Sequence, residues 1–290
     1  MHPDEAVTDV ALVRRLVSSQ FPRWAGLAIE PAEASGTDNA IYRLGEQLAV
    51  RLPRRAHNVA QHDLERHWLP WLAPQLPLAV PVPVAAGRPG DGYPHRWSIY
   101  EWLDGEPALP ERLRDPVETA HDLAALLAAF RRLDPAGGPL PGGRGGPLAD
   151  RADALQRATE ALSETIDLAR ALELWERALG APPWSGRPVW LHGDLDARNL
   201  LARDGRLCAV LDFGSLAVGD PACDVMVAWK LLPAGARSVF RELLDVDDAT
   251  WLRAQGWVVS QSLIALGYYT PETNAPLVRE ATRWLREVTA

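Results

Sequence analysis

The sequence predicts an α+β fold, a smaller sheet-rich N-terminal part followed by a larger helical one. Three observations carry this. Short apolar runs punctuated by turn residues fill residues 27–103. From Pro116 onward the apolar residues fall mainly at helical spacing. At 290 residues and 47% apolar content, the chain can bury a sizeable core in one large domain or two lobes. We place the boundary at Asp104-Gly105, giving parts 1–103 and 104–290.

Asp9 to Gln20 reads as an amphipathic helix with Val10, Val13, Leu16 and Val17 on one stripe and Thr8 as its cap. Three strands follow: a short one at Leu27–Ile29, Ala40–Leu44 after the polar turn Ser35–Asn39, and Leu48–Leu52 after Gly45-Glu46-Gln47. Pro53 stops that ladder. Asn58–Leu72 reads as a helix whose apolar face is Val59, Leu64, Trp68 and Leu72. Trp97–Leu103 is the last strand of the first part. Ala120–Leu133 is an Ala/Leu helix. Gly137–Gly146 is the most flexible segment by composition, a lid or a plain connection. Helical periodicity returns at Asp150–Leu179. Leu200–Ala202 and Leu207–Leu211 form a hairpin turned by Asp204-Gly205. Four or five helices fill the remainder from Ala222.

Composition narrows the class. The net charge of −8 argues against a nucleic-acid partner and suits a cationic ligand. No run of 18 apolar residues is present, so no membrane span is expected. The first ten residues hold three acids and no basic region, unlike a signal peptide. Cys208 and Cys223 have no metal-like spacing, and we read them as reduced thiols in a cytoplasmic protein.

The chemistry is concentrated between Trp190 and Pro221. His192-Gly193-Asp194-Leu195 is followed by Asn199, then by Asp212-Phe213-Gly214 and Gly219-Asp220-Pro221. Phosphoryl transfer needs one carboxylate beside the attacking hydroxyl and an acid/amide pair holding magnesium on a triphosphate. Asp194 is the candidate base or orienting carboxylate. Asn199 and Asp212 are the candidate magnesium ligands, since that ion takes few protein oxygens. We read His192 as a brace for the loop, Asp220 and Asp224 as structural acids, and Asp196–Arg198 as a solvated loop pair.

These motifs resemble those of the aminoglycoside phosphotransferases, antibiotic kinases with a protein-kinase-like two-lobed fold. The likeness extends through Gly36-Thr37-Asp38-Asn39, Arg51-Leu52-Pro53-Arg54 and Gly145-Gly146-Pro147-Leu148, and so covers most of the chain. Asp196 and Arg198 depart from the family's commoner pattern of a histidine, then proline and a small residue. The resemblance implies a nucleotide-binding N-terminal lobe, 1–103, and a C-terminal lobe, 104–290, with catalytic loop and acceptor site. It implies ATP, with GTP as the alternative, and Mg2+ as cofactors, the nucleotide lying between the lobes. The acceptor would be the hydroxyl of a small cationic molecule, and the protein a monomer or homodimer. Arg51 stands where such kinases usually carry a phosphate-gripping lysine, with Glu65 as its partner; the one lysine, Lys230, follows the metal motif. Ser35 and Thr37 stand in the turn that would cover the triphosphate, and the adenine would meet backbone near Tyr100, Glu101 and Trp102. Trp251, Trp257, Tyr268 and Tyr269, with Asp245, Asp247, Asp248 and Glu272 nearby, fall where the family builds its acceptor pocket. A macrolide, or a metabolite such as choline, a sugar or homoserine, is the alternative acceptor. A catalytically silent nucleotide-binding module is the alternative of another class.

Overall fold

The computed structural model describes residues 5–32, 38–162 and 168–290. Two compact units are present, Met1–Gly105 with Ala209–Gly214, and Glu106–Cys208 with Ser215–Ala290.

The first unit begins with α1 (Val10–Gln20). Its N-cap is Asp9, whose carboxylate accepts from Leu12 N at 2.6 Å, and not Thr8. Thr8 Oγ1 instead accepts from the Tyr42 hydroxyl at 3.1 Å. Among the described residues of this unit, five antiparallel strands, β1 (Ile29–Pro31), β2 (Asn39–Leu44), β3 (Leu48–Pro53), β4 (Pro83–Gly87) and β5 (Trp97–Glu101), form one sheet in the order β1-β2-β3-β5-β4. The α1 stripe Leu12, Val13, Leu16 and Val17 joins Tyr42, Leu44, Val50, Leu52, Tyr93, Trp97 and Ile99 in the core. Burying such a side chain is worth about 1.5–3 kcal/mol, so this stripe is what holds the helix to the sheet.

Helix α2 (Asn58–Leu72) has the predicted bounds but a different inner face. Asn58, His62, Glu65, Leu69 and Leu72 are buried, while Val59, Leu64 and Trp68 are half-buried. Apolar periodicity misplaced the face because Glu65, a polar residue, pairs with Arg51 on β3.

The second unit holds β6 (Glu106–Pro107), α3 (Pro116–Arg132), α4 (Ala152–Leu162), α5 (Ala169–Leu179), β7 (Val189–Leu191), β8 (Leu200–Arg203) and the start of β9 (Arg206–Val210). After the second crossing come β10 (Ala217–Gly219), α6 (Ala222–Val225), α7 (Val227–Leu231), α8 (Ala234–Leu243), α9 (Asp248–Tyr268) and α10 (Pro271–Thr289). Helix α9 packs against α4, α5, α6 and α10, which accounts for its long buried run from Gly256 to Leu263. Strands β7 and β10 pair antiparallel, Trp190 opposite Val218. The β8–β9 turn has Asp204 at φ 53° and Gly205 at φ 76°, the two left-handed residues of a tight hairpin.

Past Cys208 the chain enters the first unit, where Val210 N donates to Ala79 O at 2.8 Å. Asp212 therefore belongs with the N-terminal strands, not with residues 104–290 as the sequence boundary had it. Among the described residues no helix is long and apolar enough to cross a membrane.

Candidate active site

Candidate side chains cluster in each unit. In the first, the register of β3 opposite β2 and β5 sets Arg51 on the face toward α2. Its Nη1 pairs with the Glu65 carboxylate, which is fully buried. With its amide oxygen turned to the guanidinium, Asn39 accepts from Arg51 Nε at 3.1 Å and Nη2 at 2.9 Å. Asp212 Oδ1 lies 3.6 Å from Nη2. Burial works against the charge on Arg51, but Glu65, Tyr100 and Asp212 outweigh it, so its pKa is raised and it stays a cation. The structure thus joins Arg51 and Glu65 as the sequence proposed, and adds Asn39 and Asp212 to the cluster.

Asp212 is exposed and sits in a left-handed backbone conformation. Its φ is 60°, a conformation that costs a non-glycine residue of order 1–3 kcal/mol. Its carboxylate is half exposed, at 51%.

In the second unit the β7–β10 ladder delivers His192-Gly193-Asp194 into a fully braced loop. The buried Asp224 carboxylate accepts from His192 N at 2.7 Å and Gly193 N at 2.8 Å. His192 Nδ1 accepts from Asp194 N at 3.2 Å. Asn199 Nδ2 donates to Asp194 O at 2.9 Å, which leaves the amide oxygen as the end available to a cation. Gly193 has φ 82°, and a Cβ there would stand 2.5 Å from Ser215 O, so this turn requires glycine. Asp220 accepts from Ala222 N and is gripped by Arg253 at 2.7 and 3.1 Å. The bracing and structural roles read from His192, Asp220 and Asp224 describe these contacts.

Asp194 is paired with Arg144, whose Nη1 contacts Asp194 Oδ1 and also lies 3.2 Å from Gly193 O. Burial pushes the Asp194 carboxyl up, but Arg144, with Lys230 and His192, reverses this and brings it down to about 2. It is ionised at neutral pH, as a base or orienting carboxylate must be. Nothing in the spacing of the sequence singled out Arg144; only its glycine neighbours marked the segment.

Other expectations are corrected. Asp196 is no solvated loop residue: it is 1% exposed and accepts from Arg198 N at 2.9 Å and Nη2 at 2.7 Å. Trp102 N donates to Gln47 O at 2.7 Å and so is not available to an adenine; Tyr100 is buried and Glu101 exposed. Ser35 and Thr37 lie outside the described residues. Of the aromatic and acidic residues placed at the acceptor pocket, Trp251, Trp257, Tyr268 and Asp248 lie along α9, Asp247 and Tyr269 cap it, Asp245 precedes it and Glu272 lies in α10. Trp251 packs tilted against Trp229, ring centroids 4.4 Å apart, near the start of α9, whereas the Tyr268–Tyr269 pair sits at its end, about 25 Å away at 1.5 Å per residue. Asp247 caps that helix and Asp248 pairs with Arg241. Lys230 is buried, its Nζ donating to Gln261 Oε1 at 2.6 Å above the Trp284 ring.

Among the described residues no group of three His, Cys, Asp or Glu side chains could hold a metal. Magnesium does not need one, since it takes few protein oxygens beside water and phosphate.

Residues 29–257 match the phosphotransferase enzyme family. The chain belongs to that family and is a phosphotransferase. Its α+β fold is protein-kinase-like and is shared by known enzymes. One is a GDP complex of wild-type aminoglycoside 2'-phosphotransferase-IIIa, with TM-score 0.75 and 18% identity over 97% of this chain and 99% of that one. A second is the GDP and kanamycin complex of APH(2")-IIIa, with TM-score 0.73 and 19% identity over 95% and 97%. A third is the apoenzyme of macrolide 2'-phosphotransferase MphH from Brachybacterium faecium, with TM-score 0.64 and 24% identity over 96% and 97%. No curated protein matches the sequence.

Proposed function

We propose that this chain is an ATP- and magnesium-dependent small-molecule kinase that phosphorylates a hydroxyl of an aminoglycoside-like antibiotic. The observation that carries the reading is Asp194: ionised, 28% exposed, and fixed in a loop braced by His192, Asn199 and Asp224. Asp194 would orient the acceptor hydroxyl and take its proton late in the transfer. Asn199 and Asp212 would hold one magnesium ion, which when bound offsets phosphate charge. Arg51, clamped by Glu65 and Asn39, offers a planar fork suited to α- and β-phosphate oxygens. Tyr100–Trp102, apart from the Trp102 amide, would meet the adenine. GTP is the alternative donor, since related folds carry GDP.

A macrolide acceptor is the second reading, favoured by the 24% identity to macrolide 2'-phosphotransferase MphH over 96% of this chain. The test is incubation of the purified protein with ATP or GTP, Mg2+ and a panel of kanamycin, gentamicin, streptomycin and a macrolide, read by mass spectrometry. One added phosphoryl group on an aminoglycoside supports the first reading and one on the macrolide the second. Nucleotide binding with no product across a broad hydroxyl panel would favour a silent module.

A further inference from the structure

We propose that Arg144 is a fixed catalytic cation of this phosphotransferase, a guanidinium held against Asp194 to orient that carboxylate and to take up charge on the phosphoryl group in transit. The proposal rests on the kinase reading above.

By composition the segment Gly137–Gly146 reads as a lid or a plain connection; the structure makes it a strap. Pro139 O accepts from Val218 N at 2.8 Å and Gly145 O from Asp220 N at 3.0 Å. Gly145 has φ 79°, and a Cβ on it would stand 2.4 Å from Leu191 Cδ1. A Cβ on Gly219 would come within 2.1 Å of Gly145 O. Leu191, Val218 and Gly219 belong to β7 and β10, the ladder that also carries His192-Gly193-Asp194. The glycines therefore serve close approach, and Arg144, beside the anchored Gly145, is registered against the catalytic loop.

Arg144 also has the exposure the role needs. Its side chain is 31% exposed and Asp194 is 28% exposed, so both can meet a ligand. Nη1 makes both contacts to the loop, leaving Nη2 and Nε without a partner among the described residues. Lys230 is committed to Gln261 and Trp284, and Arg198 to Asp196. In the transfer, the acceptor oxygen bonds to the γ-phosphorus and the bond from that phosphorus to the bridging oxygen breaks. ADP leaves with the electron pair, and the hydroxyl proton passes to Asp194. Negative charge crosses the space beside Asp194 during this step, and a resident guanidinium lowers its cost; the arginine fingers of GTPases, which act on the same charge, are worth about 10³–10⁵ in turnover.

The test compares wild type, Arg144→Gln and Arg144→Lys for binding of ADP–Mg2+ alone and with aluminium fluoride, a mimic of the phosphoryl group in transit, with melting curves as the control for folding. Wild type should bind ADP more tightly when aluminium fluoride is present. In R144Q that tightening should fall at least tenfold while affinity for ADP–Mg2+ alone changes less than threefold, and R144K should recover part of it. With an acceptor from the panel, R144Q should lose at least a hundredfold in kcat. Equal tightening in wild type and R144Q, or turnover unchanged or increased in R144Q, overturns the proposal and leaves the kinase reading intact. Absence of any ADP binding by wild type overturns both.

Discussion

Arg51 and Glu65 provide a test that separates stability from nucleotide binding. The pair is desolvated, with side-chain exposures of 11% and 0%. Removing one member of such a pair strands the other and costs about 3–5 kcal/mol, whereas replacing both by apolar residues of similar volume is often neutral. Arg51→Ala should therefore destabilise the protein by about 3–5 kcal/mol. At about 2–4 °C per kcal/mol for a chain near this size, Tm should fall by about 6–20 °C. The double variant Arg51→Met/Glu65→Leu should return to within about 1 kcal/mol of wild type. If Arg51 grips the α- and β-phosphates, the stable double variant should still bind ADP–Mg2+ at least tenfold more weakly. Urea denaturation gives the first quantity and titration calorimetry the second. A double variant that binds nucleotide like wild type would remove Arg51 from the site, and an Arg51→Ala cost under 1 kcal/mol would refute the buried-pair argument.

Three further outcomes are expected. Asp194→Asn should keep the fold and nucleotide binding but lose at least about a hundredfold in turnover; a loss below tenfold would displace Asp194 from its role. Asp212→Gly relieves a left-handed non-glycine backbone, so its urea midpoint should hold or rise by the equivalent of about 1 kcal/mol while turnover collapses; marked destabilisation would mean that Asp212 serves only to pair with Arg51. His62 is 1% exposed, and burial, with Arg51, Arg66 and Arg96 nearby, lowers its pKa from 6.5 to about 3. Between those values the unfolded chain binds the extra proton, so stability falls as pH drops below 6.5, by about 2 kcal/mol at pH 5. His62→Leu should flatten stability against pH over that window, and an unchanged slope would count against the assignment.

What the sequence disclosed follows from which signals are local. The Asn58–Leu72 helix and the hairpin at Asp204-Gly205 are written in periodicity and turn chemistry, and both are present. The face of that helix was misread because its inward side carries Asn58, His62 and Glu65, and a search for apolar spacing cannot see a polar face buried against an ion pair. Asp194, Asn199 and Asp212 can be proposed from the sequence alone because their spacing is set by a loop and a hairpin. Arg144 was not: its meaning depends on a strap laid over β7 and β10, a pairing 50 residues apart in sequence. The grouping of α9 aromatics into one pocket failed because residues grouped by sequence neighbourhood are separated by the length of a helix.

The most direct test of the central claim is a crystal structure with Mg2+ and a non-hydrolysable ATP analogue. The account predicts one ion bonded to both Asn199 Oδ1 and an Asp212 carboxylate oxygen at about 2.0–2.1 Å, bridging phosphate oxygens, with Asp194 turned toward the terminal phosphate. A nucleotide bound without either side chain on the metal, or at a place remote from Asp194, would contradict it.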